Sequence, residues 1–349
     1  MSRALMPHRL ALVAALALAG CATAPDWKAA APAQALVQAD VPQRLPAAAG
    51  AADDTPALEW RAVVQSARLQ AWVGQALTHN RDLRVAAANV QRARAQLGAA
   101  DANRLPTLGA GLSASRAPNS KGEQANSLSA GVQLASWEID LFGRLANLSE
   151  AASAQVASSA QAQRAAELSV VAAVLQAGLA LQADDEQLQL ARETLASREQ
   201  TLKLVQLRES AGASSQLELQ AQVALVGQAR ATLAQLERQQ GQDDSALALL
   251  LGQAAQVAPV ATGAAAARLA DEVWLAEVPA GVSSAVLLRR PDVMQAEAAL
   301  RAADANITAA RLAYLPSISL TGQAGQVSPQ LSGLFQGGNF AYSLLASAA

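Results

Sequence analysis

The sequence predicts a mainly helical protein that carries a small set of membrane-type β-strands, and three observations predict it. The composition is 52% hydrophobic but only 3% aromatic and 15% charged, against roughly 25% charge in a typical soluble domain. The difference is made up largely by alanine, whose small side chain suits long helices packed closely side by side. Next, from about Leu145 to Glu209 the chain holds no proline and a single glycine, Gly178, which is enough for roughly 100 Å of continuous helix. Finally, two segments match without a gap at an offset of 210 residues, and in each a helical run ends at a proline and is followed by two alternating strands. The same numbers exclude other classes. The apolar content is too high for charge-driven disorder. A net charge of −2 with no basic block gives no footprint for nucleic acid, so none is expected as a partner. The single cysteine excludes a disulfide within the chain.

The first 20 residues have the form of a signal peptide. Arg3, His8 and Arg9 make a positive start, Leu10 to Ala19 an apolar stretch too short to span a bilayer, and Leu18-Ala19-Gly20-Cys21 follows. This ending resembles the bacterial lipoprotein signal, in which small residues fit the peptidase and the cysteine thiol takes a diacylglycerol. The alternative is a stray cysteine behind an ordinary signal. Read as a lipobox, it makes Cys21 the lipid attachment site. Three acyl chains would hold it firmly in outer-membrane lipid, since one chain binds only marginally. Ala22, where Asp would signal retention, points by the same resemblance to the outer membrane. Residues 21–56, rich in Ala, Pro and Gln, read as an extended tether. No later stretch offers eighteen uncharged apolar residues, so no transmembrane helix is expected, and any crossing must be made by strands.

The repeat pairs Asp82–Pro106 with Asp292–Pro316. Six of the nine identities are alanine and carry little weight. The shared Asp, the shared Leu-Pro, and the pairs Leu83/Val293, Val90/Leu300 and Leu97/Ile307 carry more. The proline in each copy, Pro106 or Pro316, stops a helix of 3.6 period. After it, apolar residues alternate over about ten positions, the length of a tilted membrane strand. Leu108, Ala110, Leu112 and Ala114 do so in the first copy, and Ile318, Leu320 and Ala324 in the second. A polar loop and a returning strand complete each hairpin, with Leu128, Ala130, Val132 and Leu134 on one face in the first and Phe340, Tyr342, Leu344 and Ala346 in the second. On pattern alone, a soluble hairpin with one face on a core fits equally well.

Between the hairpins lie the long helix, a turn at residues 210–215 and a returning helix from about Gln216 to Leu251, closed by Gly252. The returning helix is about half as long. A helix over about 67–104 has a similar length, so the two half-length helices, stacked end to end, would match the long one; a ragged coiled-coil hairpin is the alternative. The organisation expected is a signal peptide (1–20), a tether (21–56), the first equatorial region and helix (57–106), the first hairpin (107–138), the long helical hairpin (139–252), a looser equatorial region (253–282), the second helix (283–316) and the second hairpin (317–349).

Four motifs, covering nearly all of the chain after the tether, resemble those of the outer-membrane efflux family, the TolC-like channels, and most closely its lipoprotein branch typified by OprM and NodT. Ser136-Trp137-Glu138-Ile139-Asp140-Leu141-Phe142-Gly143-Arg144 is similar to the family's crossing from barrel to helix. Arg208-x-x-x-Gly212-x-x-Ser215-x-Leu217-Glu218-Leu219 is similar to its helical-tip motif, with Glu209 where an aromatic is common and Glu218 where Asp is common. The run from Val278 to Asp292 resembles the family's V-P-x-G-L-P-S-x-L-L-x-R-R-P-D-I. The run from Ala303 to Ile318 resembles A-A-N-A-x-I-G-x-A-x-A-x-[FY]-[FL]-P-x-[IL]. The resemblance implies long antiparallel helical hairpins forming a periplasmic α-barrel, with four strands per protomer of a trimeric transmembrane β-barrel. It implies a passive exit duct for drugs or other small solutes, with a periplasmic adaptor (membrane fusion) protein and an inner-membrane efflux pump as partners. In that picture Arg208, Gly212, Ser215 and Glu218 face the adaptor, although capping and turning a helical hairpin would itself require Gly212 and Ser215. Pro106, Trp137, Asp140, Phe142, Gly143 and Pro316 form the barrel-to-helix junction. Trp137 and Phe142 serve either as interfacial anchors or as a plug at the base of the barrel.

No enzyme, cofactor or metal site is expected. His79 is the only histidine after the signal, no phosphate loop occurs, and the carboxylates are scattered along helices. A lipid-anchored coiled-coil scaffold without a pore is the alternative from another class, and the paired alternating strands speak against it. The second repeat reaches its two strands and then the sequence stops. The repeat therefore predicts a second long hairpin beyond Ala349, on the order of 100 residues, without which a sealed channel is not expected.

Overall fold

The computed structural model describes residues 60–118, 120, 122–252, 269–270, 274–276 and 285–349. The signal peptide, Cys21, the tether and most of the 253–282 region lie outside the described residues. After a short turn of helix, α1 (Trp60–Val63), come α2 (Ala67–His79), α3 (Arg81–Ala102), strands β1 (Leu108–Pro118) and β2 (Gln124–Ile139), and the 67-residue α4 (Arg144–Ser210). Helix α5 (Gln216–Leu250), the short α6 (Ala285–Leu288), α7 (Pro291–Leu312), β3 (Ile318–Ser328) and β4 (Phe340–Ala348) complete the order. The repeat survives intact. Both ends of α3 and α7, and both ends of β1 and β3, are related by the same 210-residue offset.

Helix α4 is the spine. Helices α3 and α7 pack along its first half, α2 crosses its middle, and α5 lies along its second half. The contact face of α7 is a stripe of buried alanines, Ala298, Ala302, Ala305 and Ala309. Helix α4 buries Ser149, Ala151 and Ser158 along the same half, and the Ser158 hydroxyl donates to the Gln295 carbonyl of α7 at 3.2 Å. Small side chains on both helices let the backbones approach, which is the structural use of the alanine excess.

Among the described residues, a cluster of larger side chains sits at the waist. Leu69, Trp72, Val73 and Ala76 of α2 pack on Val170, Val171, Val174 and Leu181 of α4, closed by Leu247 and Leu251. Gly178 makes room for this crossing: a Cβ there would come within 2.7 Å of Leu69 and 3.0 Å of Trp72. One 18-residue window of α4 is apolar enough by composition to cross a membrane. Its valines and Leu181 instead supply this core. Arg68 lies over the Trp72 ring at 4.6 Å and donates to the Gln182 amide oxygen at 3.3 Å. From the 253–282 region, residues 274–276 run beside the waist, where Leu275 pairs with Val64 in a single antiparallel bridge.

The single helix expected over 67–104 is in fact two helices, broken at Asn80. The side chain of Asn80 explains both the break and the end-to-end stacking. Its Oδ1 accepts from the Asp82 and Leu83 amides at 2.8 and 3.2 Å, capping the N-terminus of α3. Its Nδ2 donates to the Leu250 carbonyl at 2.9 Å, capping the C-terminus of α5. One residue, 2% exposed, thus satisfies two helix ends at once and joins α5 to α3. Beside it, Gly252 adopts φ +71, and a Cβ there would fall 2.2 Å from the His79 carbonyl oxygen. The second repeat places Arg290 at the Asn80 position. It starts α7 differently, pairing through its guanidinium with Asp292 at 2.6 and 3.1 Å ahead of Pro291.

The four strands form one antiparallel sheet in the order β1-β2-β3-β4. Strand β2 ends at Ile139, one residue past the expected hairpin boundary at 138. Pairing with β3 is interrupted between Leu134 and Trp137 and resumes at Trp137↔Leu320. The bulge breaks the alternation there, so the sequence pattern stops short of the strand.

Replacing Asn80 by Ala is expected to lower the unfolding free energy by about 2 to 3 kcal/mol, since it removes a cap and strands a buried carbonyl. Asn80→Asp keeps the cap on α3 and should recover part of the loss. Chemical denaturation of the detergent-solubilised protein reads both, and an unchanged midpoint for Asn80→Ala would remove the joint from the account of stability.

Candidate functional site: sheet faces, junction and helical tip

The register sorts the strand residues onto two faces. Leu112↔Ala130, Ala110↔Val132, Val132↔Ala324 and Ala324↔Tyr342 are direct partners, so most of the large apolar residues of the four strands share one face, with Gln326 among them. Leu108, Leu112, Val132, Tyr342 and Leu344 are exposed on it. The opposite face carries mainly Gly, Ala, Ser, Thr and Gln, together with Val327 and Leu345. There Ser113 and Ser129 share a hydrogen bond at 2.7 Å, and Ser319 and Ser347 another at 2.8 Å. The outer edges of β1 and β4 have no partner strand among the described residues.

The junction ties this sheet to α4 through the predicted residues. The Trp137 indole N–H donates to the Arg104 carbonyl at 3.1 Å, joining β2 to the end of α3. Glu138 and Arg144 form a two-point ion pair at 2.5 and 3.0 Å across the turn. Asp140 accepts from the Leu145 and Ala146 amides at 3.1 and 2.7 Å, placing its carboxylate on the N-terminus of the longest helix. Gly143 makes the turn at φ +83. Phe142 and Leu141 project outward and are exposed. Pro106 and Pro316 stand between a helix and the strand that follows it, at Leu108 and Ile318. Asp101 of α3 accepts from the Ser149 hydroxyl of α4, a second tie between the same elements.

At the far end, α4 closes in a Schellman turn. Ala213 N–H donates to the Arg208 carbonyl at 2.7 Å and Gly212 N–H to the Glu209 carbonyl at 2.8 Å, with Gly212 at φ +75. Ser215 then caps α5, accepting from the Glu218 amide at 3.2 Å, while Glu218 accepts from the Ser214 hydroxyl at 2.6 Å. The structure therefore gives Gly212, Ser215 and Glu218 local work and uses only the backbone of Arg208. The Arg208 side chain and the 81% exposed Leu217 stand free of that work at the tip surface.

Two features were missed by sequence reasoning. One is Asn80, which the pattern His79-Asn80-x-Asp82 before an apolar run could have signalled as a cap. The other is an acidic contact between α4 and α5. Asp184 is 7% exposed and its Oδ2 is buried without a donor. Burial, then the facing Asp243 carboxyl, then the charge of Asp185 push its pKa up to about 6. Asp185 itself accepts from Gln240 and Glu186 from the Leu269 amide. No signal in the sequence separates Asp184 from its neighbours, because its burial is set by packing.

The sign of the Asp184 effect follows directly. Its pKa is higher folded than unfolded, so the folded state holds a proton that the unfolded state releases between about pH 4 and 6. Stability is expected to fall as pH rises through 6. Asp184→Asn should flatten the profile and raise stability at pH 7.5, on the order of 1–2 kcal/mol. Thermal unfolding of both proteins from pH 4.5 to 7.5 checks this, and parallel profiles would refute it.

Comparison with known proteins places this arrangement. Residues 72–253 and 282–349 match the family described as outer membrane efflux protein. The outer membrane protein OprJ of Pseudomonas aeruginosa is 39% identical over 345 residues, covering 96% of this chain and 70% of OprJ. The cation efflux system protein CusC of Escherichia coli K12 is 38% identical over 92% of this chain and 69% of its own length. Among solved structures, a membrane protein from Pseudomonas aeruginosa superposes with a TM-score of 0.75 at 36% identity, covering 88% of this chain and 73% of that one. These matches span both repeats, the junction and the tip, and the chain belongs to the outer membrane efflux protein family.

Proposed function

We propose that the protein is the outer-membrane exit duct of a tripartite efflux system, a homotrimer that passes drugs or other small solutes outward. The observation that carries this reading is the sheet. One of its faces is predominantly apolar across all four strands and the other predominantly polar, and both edges are open among the described residues. In a bilayer each unpaired edge group costs several kcal/mol, so strands persist there only in closed barrels. Four strands are too few to close, since the smallest closed barrels use about eight. Three copies supply twelve strands, with lipid against the apolar face and the solute path along the polar one.

The junction then fixes the tube to the barrel. Helix α4, roughly 100 Å long, and the joined column of α5 and α3 form paired walls that extend into the periplasm. Nothing in such a duct supplies energy. The reading assigns that to an inner-membrane pump, reached through a periplasmic adaptor that meets the tip at the Arg208 side chain. Cys21 is the triacylated anchor in the outer membrane.

The full-length protein, purified from outer membranes and added to planar bilayers, is expected to give discrete conductance steps, and to carry lipid on Cys21 by mass spectrometry of the N-terminal peptide. Arg208→Glu should reduce site-specific crosslinking to the adaptor without altering conductance. An absence of conductance across repeated, verified insertions would overturn the duct, and unchanged crosslinking would overturn the tip contact.

A further inference from the structure

The polar face of the sheet has an internal order that the efflux reading does not require. Two cross-strand rows run side by side over it. One is Gly111, Gly131, Gly325 and Ala341, partners in sequence across the four strands. The next is Gly109, Gln133, Gln323 and Ser343. Apart from the Ala341 methyl the first row is bare backbone, and at its centre the strands converge. A Cβ on Gly131 would lie 2.3 Å from the Ala324 carbonyl oxygen, and one on Gly325 2.2 Å from that of Ala130. On the polar face, β2 and β3 therefore approach too closely to admit any side chain at these two positions. In the second row the Gln133 side chain lies down over β1, with its amide nitrogen 3.7 Å from a Cβ position on Gly109 and 3.5 Å from one on Gly111. The glycines are the floor on which this amide rests.

Among the described residues, the polar face carries no unmatched charge. Of the charged residues in the described strands, Arg116 pairs with Asn126 on the face of Leu112, at the loop end. Glu138 shares the face of Ser319, but its carboxylate is held by Arg144. Everything between is Gly, Ala, Ser, Thr, Gln, Val or Leu.

We propose that the membrane section of the duct is a charge-free, hydrogen-bonding wall. In it Gln133 and Gln323 form a girdle of primary amides that solutes touch in transit. Such a wall sorts by size and hydrogen bonding and is indifferent to the sign of charge. Its substrate class is organic solutes of either charge, cationic and anionic alike. A fixed charge would do the opposite, since a low-dielectric lumen focuses the field of any charged group on its wall. The proposal rests on the trimeric duct described above, in which each side chain of the girdle occurs three times.

The test uses the outer-membrane protein in planar bilayers under a salt gradient, with Gln133→Cys, Gln323→Cys and Val132→Cys. Each is treated with an anionic sulfonate thiosulfonate and with a cationic trimethylammonium thiosulfonate, the parent protein controlling for Cys21. The two reagents should shift the reversal potential of the glutamine-position variants in opposite directions, changing the cation-to-anion permeability ratio by roughly two-fold or more. Val132→Cys, on the other face, and the parent protein should not respond. Normal conductance with no shift at either glutamine position, or a response at Val132→Cys, would overturn the amide girdle. An absence of conductance in the parent protein would instead overturn the duct on which the girdle rests. Two glutamine positions on different strands keep the test decisive if one variant fails to insert.

Discussion

The fold hangs on a shared helix end. Helix α4 is longer than any single partner available to it, and a long helix with one wall missing would expose its packing face. The chain solves this by abutting two shorter helices, and abutment creates a problem of its own. Unbonded amides at the start of α3 and carbonyls at the end of α5 meet away from water. Asn80 has a carbonyl oxygen and an amide nitrogen on one short side chain, and it faces one to each. The waist is built around this point, with Leu247, Leu251 and Leu83 in the same cluster as Leu69 and Trp72.

Much of this was legible in the sequence wherever a residue type has only local meaning. The prolines at 106 and 316, the glycine at 212, and the run of small and polar residues at 210–215 are punctuation that physics reads without context. The 210-residue offset located helices and strands in pairs because both copies obey the same packing. What was not legible depends on tertiary partners. The apolar periodicity of α2 continues towards Leu83 and masks the local cap signal at Asn80, while its second role lies 170 residues away at Leu250. Trp137 looked like an anchor or a plug. Its indole N–H bonds the end of a helix, a partner that only the fold supplies. The motif around it was recognised as a unit, while the division of labour within it, with Asp140 on the helix and Glu138 on Arg144, required coordinates.

Junction and tip show two ways of ending the same helix. At its start α4 is bound to its surroundings by a carboxylate on its first amides and an ion pair across the turn, so the direction of the helix is set by the strand it leaves. At its end the backbone closes on itself through Gly212 and needs nothing from outside. One end is therefore rigidly referenced to the sheet, and the other is free to present side chains.

The pairing of β2 with β3 has a consequence for how the sheet comes together. The partners within each hairpin are near neighbours in the chain, such as Ser115 with Ser127. Leu128 and Ser328, across the seam, are 200 residues apart. Hairpins close quickly, whereas a contact of that separation must wait until loop-closure entropy has been offset by structure in between. The intervening chain is the helical hairpin and the waist. The seam is thus the late step, and the two halves of the apolar surface stay apart until the helices that will carry it are in place.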